Sequence, residues 1–231
     1  MILPHAGYQY SGAVAASTVN SSELKDTFVI LGPNHTGLGE PFSVMAEGHW
    51  QMPFGPVDID GELAAEMVRG SPYLKNDALA HAQEHSIEVL LPFLQLAQGN
   101  IKFVPIVVAR ADKEIYQAIA EDICRAIKSL QRENETVVVA SSDMTHYEPQ
   151  ESAEKKDQYA LAAILALDTD KLLSRVCERD ITMCGVAPVA ILLEVAKRLG
   201  AQEARLVKYQ TSGHTTGDYS SVVGYAGLRI S

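Results

Sequence analysis

The sequence predicts a single-domain α/β protein in which helices flank a layered, mostly mixed central sheet. Short apolar runs rich in β-branched residues alternate along the chain with stretches of helical periodicity. The chain has 231 residues, of which 47% are hydrophobic, so it has the length of one domain and can bury a sizeable core. No internal repeat, low-complexity tract or linker divides the sequence, and we expect one domain over residues 1–231.

Five apolar runs predict strands, and they cover residues 27–31, 101–108, 136–139, 205–209 and 221–228. The first three runs lack the alternation of polar and apolar residues that marks a strand with one face in water. Continuous apolar strands are typical of sheets that are covered on both faces. We therefore expect these three strands at the centre of the sheet, with helices on either side.

Helical periodicity predicts helices over residues 86–96, 113–130, 153–177 and 188–199. The second of these carries isoleucines and a leucine at spacings of three and four, and Asp112 precedes it as a candidate N-cap. Gly200 is a plausible end for the last helix. Pro92 lies inside the first segment, so a kink or a late start is expected there.

The composition excludes several classes of protein. A net charge of −10 disfavours non-specific binding to nucleic acid or to anionic membranes. There is no apolar run of about 18 residues, and the first residues lack the basic and apolar regions of a signal peptide. Three scattered cysteines are too few for a disulfide framework. We expect a cytoplasmic protein that binds neither nucleic acid nor membrane.

Polar residues follow three of the apolar segments directly. His5 follows Ile2 to Pro4, and Asn34 and His35 come soon after the strand at 27–31. Asp143 and His146 likewise follow the strand at 136–139, after Ser141 and Ser142. If these strands run in the same direction, the polar residues meet at one edge of the sheet, where α/β proteins bind ligands.

Two histidines and one anionic side chain, with coordination positions left open, commonly hold a catalytic first-row metal. Here the anionic candidates are Asp143 and Cys184. Cys184 precedes a predicted helix, whose N-terminus favours a thiolate. A thiolate ligand would favour Fe(II), copper or zinc over magnesium or calcium.

Each of these residues also has a structural interpretation. Histidines in loops are more often surface or hydrogen-bonded residues than ligands, and Asp143 could cap a turn. Cys124, Cys177 and His49 are assigned structural or peripheral roles. His81, Glu84 and His85 would form a second metal site only if the chain is helical before Ser86, which could equally be an N-cap. The polar loop at 211–218 could cradle an anion or simply join two strands.

Five short motifs in a fixed order resemble the Memo family, and the resemblance extends over nearly the whole chain. Each motif is weak alone, but the ordered set is highly specific. Members of that family usually carry additional sequence before the first motif, on which this chain almost begins. The motifs are Pro4-His5-Ala6-Gly7-Tyr8, Gly32-Pro33-Asn34-His35, Glu84-His85-Ser86-Ile87-Glu88, Ser141-Ser142-Asp143-Met144-Thr145-His146 and Met183-Cys184-Gly185.

The resemblance implies a fold similar to that of class III extradiol dioxygenases, which hold Fe(II) with two histidines and a glutamate. It places His5 and His35 as metal ligands, with Cys184 where the dioxygenases have the carboxylate. His146 falls at the position of the acid/base histidine, and Asp143 lines the same pocket. Four further residues are expected to line it: Asn34, Glu84, His85 and Ser142.

Three functions follow as hypotheses. The first is a mononuclear metal protein with oxygen- or redox-linked chemistry, in which Fe(II) or copper is favoured and zinc is an alternative. The second is a binding module without turnover that recognises a peptide or small anion in the same pocket, and the third is a metal-dependent hydrolase. The ligand is expected to be a small molecule or a peptide, and the sequence is compatible with an oligomer.

Overall fold

The computed structural model describes residues 1–231 as one α/β unit with a central mixed sheet between two layers of helices. The strands are β1 (Ile2–Leu3), β2 (Thr27–Pro33), β3 (Phe42–Val44), β4 (His49–Met52), β5 (Gly55–Ile59), β6 (Lys75–Asn76), β7 (Lys102–Val108), β8 (Thr136–Ser141), β9 (His146–Glu148), β10 (Ala204–Thr211) and β11 (Val222–Ile230). The helices are α1 (Tyr8–Asn20), α2 (Gly61–Val68), α3 (Leu91–Gln98), α4 (Lys113–Ser129), α5 (Gln150–Leu165), α6 (Thr169–Glu178), α7 (Val186–Arg198) and α8 (Gly213–Thr216). The predicted fold class is confirmed.

The centre of the sheet is parallel, and an antiparallel pair flanks it on each side. The strand order is β10-β11-β1-β8-β2-β7-β3-β6, and β1, β8, β2 and β7 all run in the same direction. β11 pairs antiparallel with β1, and β3 pairs antiparallel with β7. The parallel direction expected of the first three site-bearing strands is therefore observed, and their carboxyl ends share one edge.

Both faces of the central strands are buried, as the lack of alternation predicts. In β2, Val29 and Leu31 belong to the core beneath α4 and α7, whereas Phe28 and Ile30 belong to the core beneath α1 and α3. All four side chains are fully buried. The sheet is thus held from both sides by apolar burial, and the loops at its carboxyl edge extend from a rigid base. No helix is long and apolar enough to cross a membrane.

The structure corrects the prediction of one helix over residues 153–177. Two helices are present instead: α5 ends at Leu165 and α6 begins at Thr169. Leu167 adopts a left-handed conformation with φ 52°, and the Asp168 carboxylate accepts a hydrogen bond from the Lys171 N–H at 2.9 Å. This N-cap starts a new helix, so the apolar periodicity continues across a real break.

The remaining helix predictions hold with small changes. A 3₁₀ turn at Glu88–Leu90 leads into α3, so Pro92 lies in the first turn, and the predicted late start is confirmed. Asp112 occupies the N-cap position of α4, but its side chain makes no capping hydrogen bond. The chain leaves α7 through Gly200, which has φ 90°.

Candidate metal centre

Three histidines converge at the carboxyl edge of the sheet. The candidate ligand atoms of His5, His35 and His85 all lie within 4.8 Å of one another. The His35 and His85 rings are stacked with centroids 5.0 Å apart, and the His5 ring meets both edge-on, at 5.2 and 5.5 Å. The sequence placed two of these residues as ligands and the third, His85, only in the lining of the pocket.

Hydrogen bonds fix the orientation of His5. Its Nδ1 lies 2.7 Å from Ser141 Oγ, and that hydroxyl donates its own proton to the Ser86 carbonyl at 2.6 Å. The hydroxyl can therefore only accept from His5, so Nδ1 carries the ring proton and Nε2 presents a lone pair. Burial, followed by the neighbouring histidines, holds the pKa of His5 well below its usual range. A buried, neutral imidazole is the form that binds a metal.

His35 is oriented by the carboxylate of Glu84. Oε1 accepts from His35 Nδ1 at 2.9 Å, and Oε2 accepts from the His35 backbone N–H at 2.7 Å. Oε1 also accepts from the Ser86 N–H at 3.0 Å. Although burial opposes the charge, these hydrogen bonds lower the pKa of Glu84 to about 2. A carboxylate on Nδ1 leaves Nε2 of His35 free, which is the usual arrangement behind a metal-binding histidine.

Cys184 contacts the cluster from the turn that precedes α7. Its Sγ lies 3.4 Å from His5 Nε2 and accepts a hydrogen bond from the Asp143 N–H at 3.2 Å. The close approach depends on Gly185, where a Cβ atom would lie 2.2 Å from the Ser141 carbonyl oxygen. Burial, followed by the charge of Asp143, raises the pKa of Cys184 to about 12, so the thiolate expected of a metal ligand would form on metal binding. Without a metal, the thiol is protonated.

Asp143 anchors the loop that carries His5. Its Oδ1 accepts a hydrogen bond from the His5 backbone N–H at 2.9 Å. Burial raises the pKa of Asp143 to about 7, although this hydrogen bond favours the charged form. The neighbouring Ser142 hydroxyl donates to the Asp143 carbonyl and accepts from the Gly185 N–H at 3.1 Å. Both residues therefore connect the end of β8 to the segments that carry His5 and Cys184.

His146 lies beside the cluster and has a fixed tautomer. Its Nδ1 is 2.7 Å from the Met144 carbonyl and 2.9 Å from the Thr182 carbonyl. Two carbonyl oxygens can only accept, so Nδ1 is protonated and Nε2 is the free proton acceptor. Its hydrogen bonds to Thr182, two residues before Cys184, place it next to the segment that carries Cys184.

The side chains of Asn34 and His81 have other partners. The Asn34 side chain closes its own turn, with Oδ1 accepting from the Gly37 N–H at 2.7 Å and Nδ2 donating to the Leu38 carbonyl. The helix required for a second metal site at His81, Glu84 and His85 is absent, because a single 3₁₀ turn ends at His81. His81 instead packs against Trp50, and His85 joins the other histidines.

Comparison with known proteins supports a family assignment. The model of the family described as Memo-like protein matches residues 1–229. A MEMO1 family protein of Methanopyrus kandleri is 46% identical over 99% of this chain and 81% of its own length. One from Aquifex aeolicus is 44% identical over 99% of this chain and 84% of its own.

A solved structure shares the fold at much lower sequence identity. The crystal structure of an uncharacterized protein from Escherichia coli K12 matches with a TM-score of 0.60 at 13% identity, covering 94% of this chain and 91% of that one. The ordered motifs, the near-complete match to the family model and the identity to full-length relatives agree, and the chain belongs to the Memo-like protein family.

Proposed function

We propose that the protein holds one first-row transition metal at the histidine cluster and uses it in oxygen- or redox-linked chemistry. The observation that carries the proposal is the convergence of three imidazoles within 4.8 Å. Two of them have their Nδ1 protons engaged by Ser141 and Glu84. Such an arrangement leaves the Nε2 lone pairs of these two rings free for a metal.

The donor set fits a metal of this class. Metal–nitrogen bonds of about 2.0–2.1 Å in a tetrahedral site place the ligand atoms roughly 3.4 Å apart. His5 Nε2 and Cys184 Sγ are already 3.4 Å apart, and the candidate ligand atoms of the three histidines lie within 4.8 Å of one another. His5 and His35 are common to every version of the site, and either Cys184 or His85 supplies the third donor. Imidazole and thiolate donors favour Fe(II) or copper, with zinc as the alternative.

The surrounding residues would handle protons and hold the ligands. A bound Fe(II) or copper ion supplies oxygen activation or polarisation of a bound group. His146 offers Nε2 as the proton acceptor, because Nδ1–H is held by two carbonyls. Asp143 keeps the His5 loop in place from a buried position. The substrate would be a small molecule or peptide that reaches the exposed His85 side of the cluster.

The test is metal analysis of protein purified without oxygen and reconstituted with Fe(II), copper or zinc. We expect about one equivalent per chain, lost in His5→Ala and His35→Ala. Cys184→Ser and His85→Ala identify the third donor, and Cys177→Ser is the matched control because Cys177 is exposed. With Co(II), a sulfur charge-transfer band that disappears in Cys184→Ser would assign the thiolate. Unchanged metal content in His5→Ala and His35→Ala would refute the site.

A second function, metal-dependent hydrolysis, is favoured by the three-histidine donor set, which is the set that activates zinc-bound water in some hydratases. Here His146 would act as the base. Turnover of an ester or amide under strict anaerobiosis would support hydrolysis, and oxygen consumption with a catechol would support the oxygen-linked reaction. Ligand affinity that survives metal removal, with no turnover of either kind, would instead indicate a binding module.

A further inference from the structure

A cleft beside the metal centre combines an apolar wall with one unpaired arginine. Its volume is about 440 Å³, which is the size that small organic ligands occupy. Leu173, Val176, Ile181 and Val186 form the apolar wall, and Arg110 stands at the cleft at the end of β7. We call it the Arg110 cleft.

Arg110 is free to recognise an anion. Its guanidinium makes one side-chain hydrogen bond, from Nη2 to the Met183 carbonyl at 3.3 Å, and no carboxylate pairs with it. By contrast, Arg125 and Arg132 each pair with two carboxylates. A guanidinium has five N–H donors, so most of those of Arg110 remain available for a carboxylate or phosphate group.

The neighbouring polar groups are compatible with an anionic ligand. Tyr116 lines the cleft, and its hydroxyl accepts from the Ala111 N–H at 2.7 Å, which leaves the hydroxyl proton to donate. Asp180 also borders the cleft, but it is exposed, so water and salt screen its charge. With a net charge of −10 on the chain, a small anion with an apolar body fits better than a polyanion.

The cleft is connected to the metal centre through one segment of chain. Thr182 borders the cleft, and it accepts from the His146 backbone N–H at 2.7 Å through Oγ1 and from His146 Nδ1 at 2.9 Å through its carbonyl. Met183, the acceptor for Arg110, directly precedes Cys184. A ligand that draws Arg110 away from Met183 therefore acts on the segment that places Cys184.

We propose that the Arg110 cleft is a binding site for a small organic anion, a carboxylate or a phosphate monoester. The head group pairs with Arg110, and the apolar body lies against Leu173, Val176 and Ile181. The site is separate from the histidine cluster, and its existence does not depend on the metal proposal.

The test uses phenyl phosphate and benzoate as probes, with inorganic phosphate and phenol as comparators that offer the head group or the apolar body alone. Binding to the full metal-free chain is followed by calorimetry and amide NMR. We expect at least one of the two probes to bind about tenfold more tightly than its comparators, and Arg110→Ala to weaken it by about tenfold or more. Arg110→Lys should be intermediate, since it keeps the charge without the planar fork.

Two controls make the outcome specific. Lys102→Ala removes a positive charge from the other end of the same strand and should leave binding within about twofold. Leu173→Ser should weaken the probes but not inorganic phosphate, and circular dichroism checks that each variant is folded. Equal binding of probes and inorganic phosphate, unchanged binding in Arg110→Ala, or loss of binding in His5→Ala instead would each overturn the proposal.

Discussion

Glu84→Gln tests whether one carboxylate organises the candidate metal centre. The carboxylate accepts three hydrogen bonds, two from His35 and one from the Ser86 N–H, at 2.7 to 3.0 Å. A glutamine replaces one acceptor oxygen by a donor –NH₂ group. Whichever way the amide is turned, at least one N–H of His35 or Ser86 then faces another donor.

Two effects of different size follow from this change. An unmade buried hydrogen bond costs about 1–3 kcal/mol of folding free energy in the metal-free protein. Loss of the carboxylate behind a histidine ligand lowers metal affinity by about 10–100-fold, or roughly 1.4–2.7 kcal/mol. We therefore expect the variant to fold with reduced stability and to bind metal markedly more weakly.

Competition with a chromophoric chelator gives the zinc dissociation constant, and urea unfolding of the metal-free protein gives the stability. Glu88→Gln is the matched control, because Glu88 is an exposed carboxylate four residues further along that makes no ion pair. A zinc dissociation constant for Glu84→Gln within about twofold of the unsubstituted protein would refute the role assigned to Glu84.

Ser141→Ala leaves His5 Nδ1 without its acceptor, so metal affinity should fall about tenfold, with Ser141→Thr as the conservative comparison. Burial lowers the pKa of His81 to about 4. As the pH falls below 6.5, the unfolded chain binds a proton at His81 that the folded chain does not, so the free energy of unfolding decreases. His81→Phe should therefore gain about 2 kcal/mol at pH 5 relative to pH 8 in urea unfolding. Gly224→Ala would place a Cβ 1.9 Å from Asp157 Oδ2 and should lower stability by about 1–3 kcal/mol.

Each of these expectations can fail on its own measurement. Unchanged zinc affinity in Ser141→Ala would show that His5 needs no support at Nδ1. An equal effect of His81→Phe at both pH values would mean that the ring is not excluded from protonation. A melting temperature of Gly224→Ala equal to that of the unsubstituted protein would show that the Asp157 side chain moves aside freely.

Much of the fold could be predicted because the central strands have a recognisable sequence pattern. Strands buried on both faces must be apolar throughout, so β2, β7 and β8 were recognisable from composition alone. Helix α1 was not predicted, since its serine, threonine and glycine residues have weak helix propensity and tertiary packing stabilises it. The hairpin of β4 and β5 and helix α2 were also missed, because they are short.

The candidate centre was only partly predictable for a related reason. His5 and His35 follow strands, so the topology of the sheet places them, and the prediction of their proximity is confirmed. His85 follows no strand and lies outside any helix, so no periodicity indicated its direction. The available signal was chemical: Glu84 immediately precedes it, and a buried carboxylate must find donors.

The three residues from Glu84 to Ser86 touch every histidine of the cluster. Glu84 orients His35, the Ser86 carbonyl holds the hydroxyl that orients His5, and His85 lies between them. The arrangement therefore depends on its surroundings. Copying the three histidines onto another α/β scaffold would transfer the candidate ligand atoms without the groups that orient them. A working transfer would need the tripeptide Glu84–Ser86 together with the two strand ends that it faces.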